Sequence, residues 1–185
     1  MVEDNFFQII KDIKVNLSEE IVLERLHDRL RWPKTYQHFN QPSIEAILED
    51  GSKTQDFFCD DGYIDAEKCI KKYQEGYTLI FSQVGSFCRD TLLIQNILKE
   101  KFKKHVWCNF YLGNGRKSVS FKKHRHEYAV VVKNIFGQSK WIINEQPIIL
   151  KNQEVIYFGK DIDHQVVEIN NAKMSMTCSI DLWQN

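Results

Sequence analysis

No stretch of the 185-residue sequence reaches the run of about eighteen apolar residues that a membrane-spanning helix needs. There is no surplus of either charge. The 25 Lys and Arg stand against 25 Asp and Glu, so no net field recruits nucleic acid or an anionic membrane surface. Proline is scarce, at three residues, and beside 12 Phe, 7 Tyr and 4 Trp this excludes the composition of a disordered chain. The five cysteines (Cys59, Cys69, Cys88, Cys108 and Cys178) form no CxxC pair. Neither a zinc knuckle nor a dithiol redox motif is indicated, and reduced thiols are expected. The opening MVEDNFFQII has neither the basic start nor the apolar middle of a signal peptide. A cytoplasmic protein with no membrane and no nucleic-acid partner is expected.

Nor is there an internal repeat, a low-complexity tract or a Pro/Gly/Ser linker, so residues 1–185 read as one domain. Its character changes near residue 104, from a mixed helical part (1–104) to a β core (105–185). Phe6, Phe7, Ile9, Ile10 and Ile13 have helical spacing. Ser18 is placed to cap a second helix through Leu26 and Leu30, ended by Trp32-Pro33. Ser43–Leu48 and Tyr77–Phe81 read as extended. Asp65 caps a short helix that stops at Gly76, and Leu92 to Phe102 forms a longer amphipathic one. Its Lys99, Lys101, Lys103 and Lys104 read as solvated charge at a helix C-terminus.

After Val106 eight short strands are expected: Val106–Leu112, Ser118–Phe121, Tyr128–Asn134, Ser139–Ile143, Pro147–Leu150, Glu154–Phe158, His164–Ile169 and Met174–Leu182. Turn signals between them include Phe136-Gly137 and Asn170-Asn171. Such spacing predicts a mainly β fold of the jelly-roll or double-stranded β-helix class, with the N-terminal helices packed outside.

His124-Arg125-His126 puts two imidazoles at i and i+2, on one face of an extended segment. His164 follows at the entry of a later strand, where a barrel could bring it opposite. Three ligands with open positions suit a catalytic metal ion. On spacing alone a solvated basic turn and a surface histidine explain the same residues. His27, His38 and His105 have no such partners and read as structural.

A longer pattern resembles the JmjC-type cupins, and within them the ribosomal-oxygenase-like proteins. Glu75–Phe81, the helix Leu92–Lys103, and Asn109-Phe110-Tyr111-Leu112 resemble successive family segments. Lys123 to Trp141 runs without a gap against P-H-x-D, an apolar strand and G-x-K/R-x-W, with Gly137 and Trp141 in place. Asn152–Phe158 followed by Asp163-His164, and Met174–Leu182, resemble the closing segments.

The resemblance implies a single cupin domain and an iron(II) site that has His124 and His164 as first and last ligands. It implies 2-oxoglutarate as cosubstrate, with Asn109 and Tyr111 lining the pocket. Two positions depart from the pattern. His126 stands in place of the carboxylate ligand. Ser139 stands where a basic anchor for the cosubstrate is expected, with Lys140 beside it and Arg116 and Lys133 as other basic candidates. The wider cupin glutamate, due at about Val130 or Val131, is absent, and Glu127 falls on the wrong face of a regular strand.

Three neutral ligands leave the ion's charge uncompensated and let zinc, nickel, cobalt and copper compete with iron. The resulting expectation is an iron-dependent oxygenase resembling 2-oxoglutarate-dependent protein or peptide hydroxylases. Its alternatives are a three-histidine dioxygenase that uses no 2-oxoglutarate and a ligand-binding cupin without turnover. The winged-helix regions of ribosomal-oxygenase-like proteins have no counterpart here, so a peptide or small-molecule substrate is expected. The sequence leaves the oligomeric state open.

Overall fold

The computed structural model describes residues 3–28, 31–34, 43–117 and 120–181. Its first part carries helices α1 (Glu3–Asp12), α2 (Glu19–Glu24), α3 (Ala66–Gln74) and α4 (Arg89–Phe102), and strands β1 (Ile44–Ile47), β2 (Lys53–Thr54) and β3 (Thr78–Phe81). The second part is β4 (Val106–Gly113), β5 (Ala129–Ile143), β6 (Gln146–Leu150), β7 (Val155–Phe158) and β8 (His164–Ile180). Ser18 and Asp65 cap α2 and α3, accepting from the Ile21 and Lys68 backbone N–H groups at 3.2 and 3.1 Å. The second helix is shorter than its periodicity predicts. It ends at Glu24 and tightens into a 3-10 turn through His27.

All pairings are antiparallel, in the order β2-β1-β3-β4-β8-β5-β6, with β7 also on β5. Strict alternation separates two faces. Along β4, Val106, Cys108, Phe110 and Leu112 enter the main core, while Trp107, Asn109 and Tyr111 line a cavity. Along β8, Met174, Met176, Cys178 and Ile180 face that core, while Lys173, Ser175, Thr177 and Ser179 face the cavity. The helices cover the core face, contributing Ile10, Val22, Cys69, Tyr73, Ile94 and Leu98 to the same buried cluster. Each large aliphatic or aromatic side chain fully buried here contributes about 1.5–3 kcal/mol. The result is a mainly β double-stranded β-helix with the N-terminal helices outside it.

The strand reading needs correction in three places. Residues 118–119 of the expected Ser118–Phe121 strand lie outside the described residues, and Ser120 and Phe121 belong to no strand. The Tyr128–Asn134 and Ser139–Ile143 segments are one strand, as are His164–Ile169 and Met174 onward. Phe136-Gly137 and Asn170-Asn171 are therefore bulges rather than turns. The β5–β8 register shifts between Asn134 and Phe136 and again before Gln138, and Gly137 and Asn171 take left-handed φ values of 70° and 62°. Both strands bend there together, which carries one pair around the cavity.

The five described cysteines are free thiols, with Cys108 and Cys178 directly opposed across the β4–β8 ladder. Among the described residues, no helix is long and apolar enough to cross a membrane. At the bulge, a Cβ on Gly137 would fall against the Ala172 carbonyl oxygen and 2.8 Å from the Lys173 Cα. Gly137→Ala should therefore lower stability by about 2–4 kcal/mol, since strain and overlap act together. Urea denaturation checks this, and an unchanged midpoint would show that the bulge is not as described.

Candidate metal centre

His124 and His164, forty residues apart in sequence, exchange both backbone hydrogen bonds. His124 N–H donates to the His164 carbonyl at 3.1 Å, and His164 N–H to the His124 carbonyl at 2.8 Å. This isolated antiparallel bridge puts their side chains on one face. A third bond, from Asp161 N–H to the His126 carbonyl at 2.7 Å, pins the His-x-His segment to the loop before β8. The imidazole centroids lie 4.4 Å (His124–His164), 4.8 Å (His124–His126) and 5.0 Å (His126–His164) apart. One ring nitrogen from each lies within 4.8 Å of the other two.

Backbone contacts assign the tautomers. The Nδ1 of His124 is 2.7 Å from the Lys122 carbonyl oxygen, and that of His164 is 2.9 Å from the Ile162 carbonyl. A carbonyl only accepts, so both Nδ1 atoms carry the proton and both Nε2 lone pairs are left for an ion. His126 stacks on the Tyr128 ring at 4.6 Å and 8°. Burial, then the neighbouring His124 and His164, push its pKa down to about 4, so it is neutral at pH 7. Burial also lowers His164, against an opposing contribution from its bond to Ile162. The Phe158 ring, 4.5 Å away, shields it from water.

These residues fit a divalent transition metal. Three imidazoles are borderline-soft donors, and no carboxylate belongs to the group among the described residues. Bonds of about 2.1 Å require donor nitrogens about 3–3.5 Å apart, so the rings would have to close slightly around an ion. Three ligands leave further positions open toward the cavity.

That cavity encloses about 150 Å³. Asn109 and Tyr111 line it. Asn109 Oδ1 accepts from Trp107 Nε1 at 2.8 Å and from the Gln83 backbone N–H at 3.3 Å, and burial pushes the Tyr111 phenol up to about 12. Ser139 and Lys140, the other two expected cofactor contacts, are not part of its wall. Ser139 is buried, with its hydroxyl accepting from Trp141 Nε1 at 2.9 Å. Lys140 is exposed, between Ile149 and Glu168 in the ladder.

The other basic candidates are also placed elsewhere. Arg116 donates to the Gln74 carbonyl at 2.8 Å. Lys133 is on the core face and donates to the Lys11 and Gln153 carbonyls at 3.3 and 3.2 Å. Glu127 is exposed and outside the histidine group. His27 lies 3.9 Å from Glu67, His105 is exposed beside Trp107, and His38 is outside the described residues.

The basic side chain that does line the cavity is Lys173, which sequence reasoning missed. The signal was present in the alternation of Lys173, Ser175, Thr177 and Ser179 with Met174, Met176, Cys178 and Ile180. Reading Asn170-Asn171 as a turn left the lysine outside the strand.

No protein-family model matches the chain, and no curated protein matches it. Among solved structures it is similar in part to an RmlC-like cupin family protein with a double-stranded β-helix fold from Methanocaldococcus jannaschii. The identity is 18%, with 42% of this chain and 71% of that one covered and a TM-score of 0.38. It is also similar to the DMSP lyase DddQ from Ruegeria pomeroyi DSS-3, at 11% identity over 43% of this chain and 41% of that one, with a TM-score of 0.38. The EutQ protein of Clostridium difficile matches at 15% identity over 46% of this chain and 64% of that one, with a TM-score of 0.36. Likenesses this loose, over less than half of the chain, do not bear on function.

The geometry predicts one divalent ion per chain. His124→Ala or His164→Ala should abolish binding, because two ligands hold the ion weakly, and His126→Ala should weaken it with the fold intact. Metal analysis after anaerobic reconstitution checks this. Equal metal content in wild type and variants would exclude the site.

Proposed function

We propose that the chain is an iron(II)-dependent oxygenase acting on a small molecule or a peptide side chain that reaches the cavity. The observation that carries this reading is the convergence of three imidazoles at a largely apolar cavity, two with Nε2 left free by a backbone acceptor and the third neutral. When bound, iron(II) supplies one-electron redox chemistry toward dioxygen. The chain's own part is to hold the donors oriented and to keep water out. Phe158 and Trp141 flank His164, and Tyr128 covers His126. A carboxylate-free ligand set also leaves the ion strongly attractive to an anionic bidentate ligand.

In the resemblance that ligand is 2-oxoglutarate. The position assigned to its anchor is Ser139, whose hydroxyl is turned to Trp141. This favours, as a second reading, a three-histidine dioxygenase that uses no 2-oxoglutarate.

Oxygen uptake by the iron-loaded protein, with and without 2-oxoglutarate and with succinate measured, tests both. Succinate release places the chain with the 2-oxoglutarate enzymes. Uptake that needs only a thiol or diketone supports the second reading. A protein that binds iron and consumes no oxygen in any of these mixtures is a ligand-binding cupin, and both readings fall. His126→Asp adds a carboxylate donor and should shift metal preference toward iron(II) in competition with zinc.

A further inference from the structure

Among the described residues twenty line the cavity, with no Asp or Glu and a single lysine among them. Lys173 is 3% exposed, and its ammonium donates to the Ser175 hydroxyl at 2.9 Å. Among the described residues no carboxylate pairs with it, and burial alone pushes its pKa down to about 7. An ammonium has three donors, and a neutral hydroxyl is poor compensation for a buried charge. The other fully buried lysine is treated differently. Lys133 is held by two backbone carbonyls, one of them at the C-terminus of α1, where a cation is favoured. A structural role accounts for Lys133 and leaves Lys173 without one.

Lys173 lines the cavity beside a closely packed glycine. It pairs across the ladder with Gly113. A Cβ on Gly113 would come within 3.2 Å of Thr78 Oγ1 and 3.3 Å of Ile169 Cδ1. The glycine thus lets Thr78 and Ile169 pack closely against the strand opposite Lys173. Val132, Val166 and Ile169 give the same cavity apolar walls, and it also holds the three histidines.

We propose that Lys173 anchors the ligand of this cavity, a small organic acid whose carboxylate pairs with the ammonium while its carbon chain extends toward the imidazoles. One positive charge balances one carboxylate. A phosphate dianion would leave a second charge uncompensated among apolar walls. A volume that accommodates a benzene-sized molecule limits the acid to about six to ten non-hydrogen atoms. The inference rests on the cavity being the ligand chamber of the centre proposed above, but its test needs no metal.

Protein-observed NMR titration of the metal-free protein with butyrate, and with butyramide as the uncharged isostere, tests it. Wild type should bind butyrate saturably at millimolar concentration and butyramide at least tenfold more weakly. Lys173→Met and Lys173→Gln should lose at least tenfold in butyrate affinity, and Lys173→Met should melt at a higher temperature because a poorly compensated buried charge is gone. Equal binding of acid and amide, equal affinity in the variants, or no saturable binding to wild type would each overturn the proposal. The acid–amide comparison stands on wild type alone if a variant fails to fold. Metal content of the same preparations after anaerobic reconstitution separates the two ideas. Carboxylate selectivity without metal uptake sinks the oxygenase reading alone, and metal uptake without selectivity sinks only the role of Lys173.

Discussion

β5 and β8 pair from Ala129–Ile180 at one end to Ile143–His164 at the other, and this ladder sets the position of everything that follows. Its register is held by the core. A slip of one residue would drive Lys173, Ser175, Thr177 and Ser179 into the apolar cluster and turn Met174, Met176 and Cys178 into the cavity. The paired bulges let both strands bend without breaking, so a single ladder forms two walls. The His124–His164 bridge adds two more backbone bonds at the residue that ends this ladder.

The chemistry of the site follows from that backbone geometry. Because the His124 and His164 rings are each held by a carbonyl two residues earlier, their donor atoms are chosen before any ion arrives. Packing does the rest. Tyr128 and Phe158 shield the rings, and burial keeps His126 neutral and lowers the pKa of His164. The fold thus assembles a donor set that brings no negative charge of its own.

An ion in such a set keeps its full charge, and the one charged side chain elsewhere in the cavity is a cation too. At an effective dielectric of about 20, opposite unit charges about 4 Å apart attract by about 4 kcal/mol. With an ion bound and Lys173 protonated, both centres facing this small apolar space would be positive, and an anion would be favoured there. The arrangement also carries a stability cost, since a buried ammonium with only a hydroxyl partner is unfavourable until something negative joins it. Function and stability pull apart at Lys173, whereas at Lys133 they do not.

Much of the fold was legible locally. The cap residues Ser18 and Asp65, the helical spacing in α1 and α4, and the alternation in β4, β5 and β8 are short-range signals, and each element formed where they stand. The histidine cluster was legible as well, because a strand period of two aligns His124 with His126 and one further histidine entered a strand. Bulge and turn, however, look alike in sequence. Phe136-Gly137 and Asn170-Asn171 carry the same residues either way, and only the partner strand decides between them. The lysine of the cavity was hidden for a related reason. Ser139, Lys140, Arg116 and Lys133 were all within reach of a sequence argument, yet which basic side chain faces the cavity depends on the phase of its strand after a bulge. By itself the sequence determined the fold class and the three histidines that converge, through periodicities that act over a few positions. The tertiary structure alone decided that Lys173 shares their cavity, because phase and curvature are set by pairing between residues far apart in the chain.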